Sequence, residues 1–134
     1  MDKVKEEYIR AWLQKADHDL KNAVIILNAE EMEKPFDTVC FHCQQAAEKY
    51  LKGYLVYLDV LFPHTHNIAQ LIELGAKVDS ELRAYISTDE LTPYGVDIRY
   101  PDDLYLPSEE EAWQAYHLAL SLKDHVVKSL QEIL

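Results

Sequence analysis

The chain has 134 residues, a net charge of −11 and a sequence pI near 4.8. That length suits one domain with a core large enough to fold without a metal or disulfide staple, and the acidity excludes non-specific nucleic-acid binding, which depends on Lys and Arg displacing counterions from phosphates. Three glycines and five prolines are too few for a β-rich protein with many tight turns, and no run reaches the roughly 18 apolar residues of a membrane span.

The charged start, residues 1–7, has no secretory-signal pattern, so the expected location is cytoplasmic. Residues 8–29 follow a helical period, with Ile9, Leu13, Ala16, Leu20, Ala23, Val24 and Leu27 spaced by three and four. The stretch EMEKP, residues 31–35, ends that pattern, and a second helix is expected over about 37–59. LFPHTHN, residues 61–67, is a connector with Pro63 as the stop. A short third helix is expected over 67–76, with Thr65 as a cap and His66 hydrogen-bonded across helix ends. Residues 79–98 are expected to be helical with a break at Pro93, where Thr92 would cap a new turn. RYPDDLYLP, residues 99–107, has two prolines and no period, so it is an irregular loop. The last helix opens with a capping box, Ser108 and Glu111. Its apolar face is expected to carry Ala112, Trp113, Tyr116, Leu120, Val127 and Leu130. The sum is an all-α, up-and-down helical bundle of four main helices plus one short helix. It forms one domain, 1–134, with its core over about 8–130.

On a helical wheel the second helix splits in two. Val39, Cys40, Cys43, Ala46, Ala47, Tyr50, Leu51 and Tyr54 cluster on one side, which makes the cysteines buried apolar thiols. Two cysteines alone do not complete a structural zinc set, and no strand precedes them as in a redox pair. No His has a Glu three positions before it, which removes a di-iron bundle. The other side carries His42, Gln45, Lys49 and Lys52 in one polar stripe, with Phe41, Glu48 and Val56 beside it. The plain reading is a solvated face; the apolar neighbours suit a docking surface. Arg99 stands among Asp97, Asp102 and Asp103, a structural ion pair or a guanidinium offered to phosphate with Tyr100 as stacking platform. Those acids could instead share Mg2+ with a phosphate ligand. His18, His117 and His125 read as surface or rim residues.

Four segments in this order carry a resemblance: AWLQKADHDLKNAVIIL (11–27), FDTVCFHCQQAAEKYLKGYLV (36–56), FPHTHNI (62–68) and LTPYGVDIRYPDD (91–103). Together they resemble the HEPN family, the higher eukaryotes and prokaryotes nucleotide-binding domain. The resemblance implies a helical bundle like the substrate-binding subunit of nucleotidyltransferases, commonly a homodimer. It further implies a minimal nucleotidyltransferase as partner in a two-component, toxin–antitoxin-like system. Some members are metal-independent ribonucleases with an Arg followed after four to six residues by a His. Here positions 104–106 after Arg99 are Leu104, Tyr105 and Leu106, so the general acid–base half of that motif is missing.

The expectation is therefore a non-catalytic nucleotide- or substrate-binding subunit with no catalytic residue and no protein-held metal site. Its ligand or partner would meet His42, Gln45, Lys49, Lys52, Arg99 and Tyr100. The ligand class implied is a purine nucleotide with Mg2+. A ribonuclease with a non-standard site and a purely structural interaction module are the alternatives. Lysines found inside the fold would remove the basis of the non-catalytic reading.

Overall fold

The computed structural model describes residues 1–95 and 105–134, and within them the periodic segments are helices. Helix α1, Lys3–Leu27, is started by Asp2, whose side chain accepts the backbone N–H of Val4. It buries Ile9, Leu13, Ala16, Leu20, Ala23 and Leu27, as the spacing requires. It begins about a turn earlier than the apolar period alone indicates, because Asp2 supplies the cap. Helix α2 spans Phe36–Tyr57 and helix α3 spans Ile68–Ala76. A 3-10 segment, η1, covers Ser80–Gly95, and helix α4 covers Glu109–Ser129.

Helix α2 is the centre of the bundle: α1, α3, η1 and α4 all pack on it. No residue of α2 is exposed. Helix α2 comes close to α1 at Gly53, where a Cβ would lie 3.0 Å from the Cβ of Trp12. Both cysteines are buried and free, as the wheel places them. Burial pushes the Cys40 thiol up to about 12, with Glu111 and Asp37 adding to the effect.

Four local expectations need correction. The break in η1 falls at Tyr85 (φ −102°, ψ 16°), and Pro93 lies inside a continuous stretch. Thr92 does not cap its own turn: its hydroxyl accepts the N–H of Ile68, at the start of α3. Asp89 takes the N–H of Ala69 and the cap Asn67 takes that of Gln70. Three side chains, two of them from η1, thus satisfy the donors of α3's first turn. Thr65 accepts the N–H of Asn67 and is not the cap itself. The α4 capping box forms as expected, but the buried line of α4 is Ala112, Ala115, Ala119, Leu122 and Val126. Trp113, Tyr116, Leu120 and Val127 are only half-buried. Small alanines form the inner line because α4 lies against the central helix, leaving the aromatics to its flanks.

Candidate functional site

The expected stripe on α2 does not form a solvated strip. It divides into two hydrogen-bonded clusters, each built around a carboxylate. The first is held by Asp19 of α1, which is buried. His42 Nδ1 lies 2.9 Å from Asp19 Oδ1, and Lys49 Nζ lies 2.5 Å from Oδ2. An ionised carboxylate only accepts, so Nδ1 carries the hydrogen and Nε2 is the free position of the ring. His42 also lines an open pocket of about 300 Å3 with Asp37, Thr38 and Phe41, at the first turns of α2. Pro35, in the N-cap position, offers that helix start no side-chain hydrogen bond. The N–H of Phe36 is taken by the Lys34 carbonyl, that of Thr38 by the Asp37 carboxylate (2.9 Å) and that of Val39 by the Pro35 carbonyl. What the helix start offers the pocket is therefore the positive end of its dipole, beside the imidazole.

The second cluster lies further along α2 and is deeper. Gln44, Glu48 and Lys52 succeed one another at intervals of four residues, so they stack along one line of the helix. Gln45 Nε2 donates to Gln44 Oε1 (2.7 Å), and Gln44 Nε2 donates to Glu48 Oε1 (3.1 Å). Lys52 Nζ donates to Glu48 Oε2 (3.0 Å). His66, from the connector before α3, places Nδ1 2.8 Å from Glu48 Oε1. Burial would raise the Glu48 carboxyl, but the hydrogen bonds from Lys52, His66 and Gln44 outweigh it and hold it below the ordinary value. The Lys52 ammonium sits 5.8 Å from the Trp12 ring centroid, a cation–π contact at the α1–α2 seam. The backbone of Gly95, where η1 ends, lies against the Gln44 carboxamide; a Cβ there would stand 2.8 Å from it.

Against expectation, then, Lys52 is inside the fold, 5% exposed, and Glu48 is 4% exposed rather than beside a wet stripe. Lys49 and Gln45 are half-buried. The condition set for the non-catalytic reading is met by Lys52, so an outer cationic strip is not a basis for any role. The structure joins His42 to Lys49, and Gln45 to Lys52, each pair through partners that sequence reasoning did not assign: Asp19, and Gln44 with Glu48 and His66. The signal for the second set was present as Gln-x-x-x-Glu-x-x-x-Lys, the spacing of a self-neutralising ladder. The first depends on two helices meeting and has no local signal. Arg99 and Tyr100 lie outside the described residues. His125, expected at the rim, is half-buried and contacts Asp79.

A family model described as HEPN domain matches residues 9–130. The fold is similar to that of a crystal structure of TT1696 from Thermus thermophilus, at 26% identity and a TM-score of 0.70. That match covers 94% of this chain and 98% of the other. It is also similar to the crystal structure of ST0689, described as an archaeal HEPN homologue, at 22% identity and a TM-score of 0.69. Here 91% of this chain and 97% of the other are covered. No curated protein matches the sequence.

Proposed function

The chain belongs to the HEPN domain family, and from that premise we propose that it is a ligand-binding subunit acting with a nucleotidyltransferase partner. The observation that carries this reading is the pocket at the start of α2. It combines an oriented imidazole, the positive end of a helix and the Phe41 ring in one open space. A nucleotide fits those features. Its phosphates would lie at the positive end of the α2 dipole, and its base would enter the space beside His42. The Asp37 carboxylate in the same pocket favours a ligand that arrives with Mg2+. Lys49 serves indirectly, by sharing the Asp19 carboxylate with His42 and fixing its position.

Calorimetry with ATP and GTP, with and without Mg2+, tests the ligand. His42→Ala should weaken binding by about tenfold or more, and binding unaffected by His42→Ala, Lys49→Ala and Arg99→Ala would sink the proposal. Co-purification with a minimal nucleotidyltransferase tests the partner, and light scattering of the chain alone tests the expected homodimer.

One observation favours a second reading. His66 is 58% exposed at its side chain while its Nδ1 is held by the buried Glu48. A carboxylate that orients an exposed imidazole is the arrangement general acid–base catalysis uses. Incubation with a mixed RNA pool decides it: cleavage lost in His66→Ala supports a ribonuclease, and no cleavage removes it.

A further inference from the structure

Away from the α2 pocket, three donor side chains converge at the other end of the bundle. Asp79 follows α3, Glu81 lies in the first turn of η1, and His125 is near the end of α4. One ligand atom from each lies within 4.8 Å of the others. His125 Nε2 is 2.8 Å from Asp79 Oδ2; an ion would replace that hydrogen bond, with the Nε2 proton passing to solvent or the ring taking the Nδ1–H tautomer.

We propose that these residues form a site for a borderline divalent transition ion, Zn2+ foremost. The donor set is one imidazole nitrogen and two carboxylate oxygens. Zn2+ accepts that mixture, whereas Mg2+ and Ca2+ take oxygens alone. The ring of His125 is fixed before any ion arrives. Tyr54 meets it edge-on at 6.0 Å and Tyr85 lies against it at 4.9 Å. The Ser129 hydroxyl donates to the His125 carbonyl in the last turns of α4.

The outer shell is also in place. The Tyr54 hydroxyl donates to Asp79 Oδ2 (2.6 Å), and the Glu81 N–H donates to Asp79 Oδ1 (3.1 Å). Such contacts aim a ligating carboxylate. Electrostatics point the same way. Among the described residues no Lys or Arg pairs with Asp79 or Glu81. Apart from His125 itself, which faces Asp79, the two carboxylates thus converge in a chain of net charge −11 without a basic partner among the described residues, and a divalent cation would supply the balancing charge. Glu81 is exposed and free to swing its carboxylate onto the ion, which leaves the remaining coordination positions to water. The bound ion would tie the start of η1 to α4, with α2 joined through Tyr54.

Titration calorimetry of the full chain with ZnCl2 is expected to give one ion per chain, and the melting temperature should rise with free Zn2+ by mass action. Glu81→Gln changes an exposed residue and will fold; it should weaken Zn2+ at least about tenfold, as should His125→Ala. Tyr54→Phe should weaken it by roughly ten- to a hundredfold, through the aim of Asp79. Mg2+ at the same concentration should give no comparable shift. Absence of Zn2+ binding overturns the site. So does binding that Glu81→Gln and His125→Ala leave unchanged, or binding that is lost on replacing His64 and His66 with alanine.

Discussion

At the scale of single residues, Glu48 decides more than any other side chain in α2. It is the acceptor for Lys52, His66 and Gln44. Glu48→Gln would leave the Lys52 ammonium inside the fold without a counter-charge, at a cost of about 3 kcal/mol. Replacing both partners, Glu48→Leu with Lys52→Met, should return stability to within about 1 kcal/mol of the parent. Gln44 keeps the His66 carbonyl as acceptor (3.4 Å), and His66 can turn to water. Urea unfolding of the parent and both variants checks these values. The carboxyl of Glu48 is held below its ordinary value of 4.5, so its stabilisation is complete above that pH. It is lost as pH falls through the folded-state value. The stability gap between parent and Glu48→Gln should therefore be constant at neutral pH and shrink as the medium is acidified below about 4.5.

At the scale of elements, contacts between helices outweigh intrinsic propensity. Gly53 sits well inside α2, where glycine costs about 1 kcal/mol against alanine. It is tolerated because Trp12 Cβ, fixed to the α1 backbone, approaches that face. Gly53→Val should force α1 and α2 apart and destabilise by about 2–3 kcal/mol, read from the midpoint of chemical unfolding. The start of α4 shows the opposite case, an end set by local chemistry. Ser108 accepts the Glu111 N–H and the Glu111 carboxylate turns back to the Ser108 N–H. Ser108→Ala should cost about 1 kcal/mol by the same measurement. The acidic first turn, Glu109 to Glu111, keeps its dipole interaction in that variant.

At the scale of the molecule, α2 touches every other described element, so no part of the bundle can separate without opening the centre. Heat should unfold the chain in one transition, with far-UV and near-UV signals coincident. The slowest-exchanging amides should be those of α2, around Ala46, Ala47 and Leu51. Protection that instead peaks in α1 or α4 would contradict a central α2. No described helix is long and apolar enough to cross a membrane.

The apolar period determined by itself that the chain is a helical bundle, because a buried helix face repeats every three or four residues whatever it packs against. The α4 capping box, Ser108 with Glu111, was equally legible, since its donors and acceptors lie within one turn. The HEPN likeness was legible too, in segments such as CQQAAEK, residues 43–49. Tertiary structure alone decided which polar residues are inside. A wheel assigns a helix one wet side, and no residue of α2 is fully exposed, because every other described element packs on it. Lys52 therefore went from outer strip to buried ion pair, and His42 gained its orientation from Asp19, 23 positions away. His125 met Asp79 across 46 positions. A charge can enter the interior only with its partner, and when that partner sits on another helix, only the packing of the helices identifies it.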